Sequence, residues 1–160
     1  MARQAPIEIF MPPNILKAKV GSAIGGIDMA AIKRAETAME TLKVEFQDWL
    51  SADVAKLGAC RDRYAAAPTT PMRDELFRAA HDIKGQGETF GYPAIARVAS
   101  SLTRLIDGIK VSADVPLGLV DAHVAAIKVI FRDNICTTTD KITCMLTEEL
   151  EARVSEAIAG

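Results

Sequence analysis

The sequence has no basic block, no long hydrophobic run and no apolar signal core near its start. Its 19 basic and 21 acidic side chains leave a net charge of −2, and without a basic patch we expect no nucleic-acid partner. The longest apolar runs fall short of the roughly 18 residues that a membrane-spanning helix needs. Arg3 and Pro6 interrupt the N-terminal segment, unlike a secretory signal. We therefore expect a cytoplasmic protein that binds neither nucleic acid nor membrane.

Motifs for metals and cofactors are also missing. Cys60, Cys136 and Cys144 form no Cys-x-x-Cys pair, and no histidine stands at zinc-ligand spacing to them. We expect reduced thiols and no metal site. There is no Gly-x-x-x-x-Gly-Lys-Ser/Thr loop. The glycines at 85, 87 and 91 follow no predicted strand, which a dinucleotide fingerprint requires, so we expect no cofactor.

What the chain does contain is helical periodicity over most of its 160 residues. Its 49% hydrophobic and 25% charged residues are typical of a soluble globular protein. The short turn at 91–93 implies that the helices on either side are antiparallel neighbours. Residues 1–27 are predicted to form an extended or irregular arm before a helical domain at 28–160. Helices are predicted over 28–67, over 71–89 with Thr70 as the N-cap, over 93–109, from Pro116 to a break at 137–140, and from there to about 158.

Apolar stripes predict which side of each helix faces the core. The first helix, of roughly 60 Å, is long enough that we expect it to bend, break or extend past the others. Its apolar residues alternate spacings of three and four, and the last helix also has an apolar stripe along its length. The residues predicted to face inward are Ile32, Ala35, Met39, Leu42, Phe46 and Trp49 in the first helix and Ile142, Leu146, Leu150 and Val154 in the last.

The second predicted helix contains the most informative residue, His81. Small and apolar residues of this helix fall within about 100° of arc, and His81 points the opposite way, so we expect it to be exposed. Lys84 at i+3 and Gly85 at i+4 lie on the same side. Glycine inside a helix costs roughly 1 kcal/mol relative to alanine, but here it lets another molecule approach the imidazole closely. The opposing stripe consists of Met72, Leu76, Ala79, Ala80, Ile83, Gly87 and Phe90.

The segment His-Asp-Ile-Lys-Gly at 81–85, with small residues at Gly87 and Gly91, resembles the motif of the histidine-containing phosphotransfer (HPt) family of two-component phosphorelays. The helical pattern extends the resemblance over most of residues 28–160. It implies an all-α antiparallel four-helix bundle, here with an additional C-terminal helix and an irregular N-terminal arm. Gly87 departs from the family, where serine or alanine is common, and we expect this difference to affect packing more than chemistry.

The resemblance also implies roles for individual residues. His81 is the expected phosphoacceptor, because a neutral imidazole with an ordinary pKa of about 6.5 is a nucleophile near physiological pH. Lys84 is expected to stabilise the phosphoryl group, which brings close to two negative charges, and Gly85 to provide access. Arg78, Gln86 and Thr103 are supporting candidates.

The second histidine is expected to have no part in this chemistry. His123 lies on the flank of the fourth predicted helix and has no glycine at i+4. We assign it a structural or solvated role.

The remaining parts of a transfer site are expected on a partner. Phosphoryl transfer usually needs a divalent metal, and no acidic cluster here resembles a magnesium site. We expect a monomeric phosphocarrier without turnover of its own, whose partners are receiver domains of response regulators and/or a hybrid sensor histidine kinase. Three alternatives stay open: a helical adaptor that binds signalling partners without carrying phosphate, the phosphorylated domain of a chemotaxis-type kinase, which requires the chain to be a fragment, and a helical bundle of unknown role.

Overall fold

The computed structural model describes residues 29–137 and 140–159, apart from the side chains at positions 43 and 113. The predicted arm at 1–27 lies outside the described residues, so the arm and its boundary stay predictions. The chain divides into two compact units, Met1–Glu40 and Thr41–Gly160, and the candidate site lies in the second. The helices of the described residues are α1 (Met29–Ala66), α2 (Thr70–Thr89), α3 (Pro93–Gly108), α4 (Leu117–Arg132) and α5 (Lys141–Ala159), with a 3-10 turn at Ser112–Asp114.

Prolines mark the starts of three helices, as the sequence predicts. Pro71 lies in the first turn of α2, Pro93 opens α3 and Pro116 precedes α4, because proline has the φ angle of a first turn and needs no N–H partner there. One detail was wrong. The N-cap of α2 is Thr69 rather than Thr70, and it makes no capping hydrogen bond through its side chain. The proline therefore fixes this helix start without help from a hydroxyl cap.

Helix α1 contacts both α2 and α4. As α1 proceeds, its partners on both other helices step backward in sequence, which is the order of antiparallel neighbours. The ion pairs lie at the surface, where each contributes about 1 kcal/mol or less. The α1–α2 contacts are Phe46–Phe90 (ring centroids 4.4 Å apart), Lys56–Asp82 (3.4 Å) and Arg63–Glu75 (2.8 Å), and the α1–α4 contacts are Gly58–Lys128 and Arg61–Asp121 (2.6 Å).

Helix α3 packs against α2, α4 and α5. It runs parallel to α5: Arg97 near its start binds Glu151 through two hydrogen bonds of 2.8 and 2.6 Å, and Gly108 at its end lies against Ile158. The predicted all-α bundle with an additional C-terminal helix is thus confirmed. No helix in the described part of the chain is long and apolar enough to cross a membrane. The buried residues of α3 are Ala94, Ile95, Ala96, Val98, Ala99, Ser101, Leu102, Thr103, Leu105 and Ile106.

The prediction that the N-terminal stripe of α1 faces the core was wrong for most of its members. In the first unit Met39 is 71% exposed, and in the second Trp49 is 55% exposed. Among the described side chains of α1, the first buried one is Leu50. The spacing shows only that these residues share one side of the helix, and it does not show that another element packs on that side. The exposed stripe residues are Ile32, Ala35, Met39, Leu42 and Trp49, and Phe46 is partly buried.

The prediction that the first half of the α5 stripe faces the core was also wrong. Ile142 is 77% exposed, whereas Thr143 and Thr147 are buried. Residues spaced by exactly four drift about 40° per step around a helix of 3.6 residues per turn, so a 142-146-150-154 row does not stay on one face. The two threonines are tolerated inside because their hydroxyls donate to Asp140 and to the Thr143 carbonyl, each at 2.6 Å. Only the second half of the predicted stripe, Leu150 and Val154, is buried.

Candidate functional site

Helix α2 holds its apolar face against the core and leaves His81 outside. Leu76, Ala80 and Ile83 are completely buried, and His81 is exposed. The prediction that His81 lies on the side of the helix opposite the apolar stripe is therefore confirmed. Because α2 packs against α1 and α3, His81 is presented from a packed helix rather than from a loop.

The imidazole of His81 lies against an aromatic ring of its own helix. The ring of Phe77, one turn earlier, stacks on it with centroids 6.0 Å apart and planes inclined by 20°. Within the described chain neither ring nitrogen has a hydrogen bond or an ion pair. Both nitrogens are therefore free of polar partners, and one of them can attack an incoming electrophile.

Two cations on the same helix are likewise without partners within the described residues. Lys84 is partly exposed and Arg78 is exposed, and neither forms an ion pair there. The acidic neighbour of the histidine, Asp82, is instead engaged by Lys56 of α1 at 3.4 Å. The ammonium of Lys84 therefore keeps its capacity to donate to an anion bound at the imidazole.

The two glycines of the motif helix differ in their surroundings. A Cβ built on Gly85 meets no atom within 4 Å, whereas one built on Gly87 comes within 2.9 Å of the backbone nitrogen of Ala96. Gly87 thus allows α3 to approach α2 closely. Gly85 leaves open space beside His81, on the side where a second molecule has access.

Two of the supporting candidates form hydrogen bonds with residues other than His81. The amide of Gln86 donates to Asp53 on α1, and the hydroxyl of Thr103 donates to the Ser100 carbonyl of its own helix at 2.8 Å. Neither forms a hydrogen bond with His81, so the structure does not join them to the histidine. Phe77 was not among the residues predicted to act with His81, although its i−4 spacing from the histidine was a usable signal.

A groove of about 390 Å³ opens between α2, α3 and α5, on the side of Phe77. Its two arginines are already bound through Glu151, which pairs with Arg97 and accepts from Arg104 through its carbonyl at 3.1 Å. No group of three or more His, Cys, Asp or Glu side chains in the described residues is arranged to hold a metal ion. The groove lining is Phe77, Arg97, Ser100, Ser101, Thr103, Arg104, Asp107 and Glu151.

The second histidine belongs to the core. His123 is fully buried, with Nδ1 2.7 Å from the Leu119 carbonyl and Nε2 3.0 Å from the Ser101 hydroxyl. Burial lowers its pKa below the usual 6.5, and the bond to the carbonyl only partly opposes this. Of the two roles that the sequence left open, structural or solvated, the structure favours the structural one.

Comparison with known protein families finds a match for this part of the chain. The family model of the Hpt domain matches residues 41–130, which is more than half of the chain and includes α2 with His81, Lys84 and Gly85. Helix α5 lies beyond the matched range. Comparisons with curated proteins and with solved structures found no match.

Proposed function

We propose, from the premise that this chain belongs to the Hpt domain family, that it is a phosphorelay carrier with His81 as its phosphoacceptor. The family match supports a histidine phosphotransfer role in phosphorelays in general. The residue that performs it, the partners and their order in the relay are the content of the proposal. The observation that supports it best is the free imidazole of His81 on the outer face of a firmly packed helix, with open space at Gly85.

The proposed step is a direct transfer between side chains. The lone pair of one imidazole nitrogen attacks the phosphorus of a receiver's aspartyl phosphate. A P–N bond forms as the P–O bond breaks, and the aspartate leaves as a carboxylate with the bonding pair. The other ring nitrogen keeps its proton, so no general base is required on this chain. Transfer to a second receiver is the same step in reverse.

Lys84 is proposed to offset the charge that arrives. Phosphate brings close to two negative charges, and hydrogen bonds between ions are roughly twice as strong as neutral ones. Arg78, also without a partner in the described residues, lies one turn before His81 and is a second source of positive charge. Gly85 leaves room for the receiver to bring its aspartate close to the imidazole.

The partners that fit this site are receiver domains of response regulators, alone or within a hybrid sensor histidine kinase. They are proposed to supply the acidic pocket and the divalent metal that phosphoryl transfer requires. This chain contributes the acceptor and its positioning, and has no turnover by itself. A cytoplasmic location and a monomeric state stay predictions.

Lys84→Ala tests whether the chain carries phosphate or only binds partners. Transfer from a phosphorylated receiver and binding of the unphosphorylated receiver are measured on the same protein. We expect a large loss of transfer, with binding weakened about fivefold or less, because an exposed cation at an interface contributes about 1 kcal/mol or less. Arg78→Ala, which removes a cation outside the His-x-x-Lys-Gly segment, is the matched control and should have the smaller effect on transfer.

A helical adaptor that never carries phosphate gives a different pattern. It loses only the modest binding contribution in Lys84→Ala and takes no label from the phosphorylated receiver. Equal, small losses in both measurements, or absence of acid-labile label on the parent protein, would contradict the carrier.

A further inference from the structure

We infer that Phe77 is a positioning residue for the phosphoacceptor: its ring holds the His81 imidazole in the orientation from which it attacks. The inference rests on the proposed function of His81 and adds a residue outside the His-x-x-Lys-Gly segment. The two rings stack at 6.0 Å with a 20° angle between their planes, within the 4.5–7 Å range of interacting aromatic pairs.

The geometry of α2 brings these rings together. Residues four apart lie one above the other on a helix face, and side chains lean toward the helix N-terminus. The imidazole of His81 therefore leans onto the turn that carries Phe77. Toward the C-terminus, the position four residues later is Gly85, where a Cβ would meet nothing within 4 Å. One side of the imidazole is backed by a ring and the other is open.

Phe77 is itself held in place. It is partly buried and packs against the hydrophobic core, and its other side borders the groove between α2, α3 and α5. A ring fixed at its base is a stable surface for a neighbour to lie on. Because the groove is open, shortening Phe77 widens an existing surface feature rather than creating a closed cavity.

Positioning is needed because no polar side chain among the described residues orients the nucleophile. Neither imidazole nitrogen has a polar partner in the described residues, so no hydrogen bond selects its rotamer. An in-line attack requires the reacting atoms at about 3–3.5 Å with aligned orbitals, and an error of 1 Å can cost a hundredfold in rate. Phe77 limits the imidazole to one side and leaves the Gly85 side for the receiver.

Phe77→Leu and Phe77→Tyr test this role. Leucine keeps an apolar group without a ring, and tyrosine keeps the ring. With saturating phosphorylated receiver, we expect the transfer rate of Phe77→Leu to fall about tenfold or more, with receiver affinity changed less than about threefold, and Phe77→Tyr to retain the parent rate. Phe90→Leu is the matched control, since Phe90 is a partly buried ring at the C-cap of the same helix and stacks on Phe46 instead of on His81.

A second readout does not depend on phosphate. The χ1 rotamer populations of His81, from NMR scalar couplings in the unphosphorylated protein, should broaden in Phe77→Leu and stay as in the parent in Phe77→Tyr and Phe90→Leu. An unchanged transfer rate in Phe77→Leu, or a reduced rate with unchanged His81 rotamers, would overturn the positioning role. If the parent protein accepts no phosphate at all, it is the proposed function that fails, and the rotamer measurement still reports whether Phe77 orders the imidazole.

Discussion

At the residue scale, the two glycines of the motif helix serve different purposes. Gly85 faces solvent, and a Cβ built on it would meet no atom within 4 Å, whereas Gly87 faces α3 at a distance that leaves no space for a methyl group. The family commonly has serine or alanine at the second position. The close approach of the Ala96 backbone explains why this chain has glycine there, and it supports the expectation that the difference concerns packing.

Alanine substitutions separate the two glycines. Gly85→Ala should raise the free energy of unfolding by about 0.5–1 kcal/mol, because alanine is the better helix former and its methyl group meets no atom. Gly87→Ala gains the same propensity but overpacks the α2–α3 contact, which typically costs about 1–3 kcal/mol. Denaturant unfolding of both variants measures the difference. Stabilisation by Gly87→Ala to the same extent as by Gly85→Ala would show that α3 is not as close as described.

The buried imidazole of His123 should make stability depend on pH. Its pKa is lowered in the folded protein by burial, whereas in the unfolded chain it has the ordinary value of about 6.5. Between these values the unfolded state binds more protons, so stability falls as pH falls below about 6.5. From pH 7 to 5.5 the parent should therefore lose unfolding free energy through this group.

The control for this effect is His123→Gln, measured by denaturant unfolding over the same pH range. It lacks the titrating group and should lose the slope, whatever its absolute stability. Carboxylates with lowered pKa values, such as Asp140 and Glu151, change stability mainly below about pH 4.5. They therefore contribute little between pH 7 and 5.5. An equal slope in both proteins would assign the pH dependence to another group.

At the element scale, α2 was predictable and α5 only in part. The α2 stripe mixes spacings of three and four, so it stays on one face, and its burial follows from the sequence alone. The α5 stripe uses spacings of four throughout and therefore drifts around the helix. Its first half is exposed, and Thr143 and Thr147 are buried instead. Hydroxyls that bond within their own helix turn look polar in a sequence but are satisfied inside, which hydrophobic periodicity does not detect.

Substitutions along α5 test this rotation of its buried face. Leu150→Ala should lower the free energy of unfolding by about 2–5 kcal/mol, because Leu150 is buried in the core. Ile142→Ala should change it by about 0.5 kcal/mol or less, because Ile142 is exposed. Both are measured by denaturant unfolding. If Ile142→Ala lowered the free energy of unfolding as much as Leu150→Ala, the result would support the inward-facing stripe that the sequence predicts.

At the scale of the whole molecule, the sequence was sufficient for the class of fold and for the exposure of His81. Both depend on local periodicity and on proline and glycine positions, which act over a few residues. It was insufficient for what each stripe faces: most of the α1 stripe at 32–49 is exposed, because spacing alone does not show which element lies opposite. It was also insufficient for side-chain partners: Gln86 and Thr103 were supporting candidates, and the sequence did not indicate their hydrogen bonds to Asp53 and to the Ser100 carbonyl.

The central claim is that His81 alone accepts the phosphoryl group, and mapping the phosphorylated residue tests it most directly. The parent and His81→Gln are incubated with a phosphorylated receiver domain, and the label is assigned by mass spectrometry at alkaline pH, where a phosphoramidate survives. We predict acid-labile, base-stable phosphate on His81 in the parent and none in His81→Gln, with helical content unchanged by circular dichroism. Label retained by His81→Gln, or label on His123 in the parent, would contradict the account.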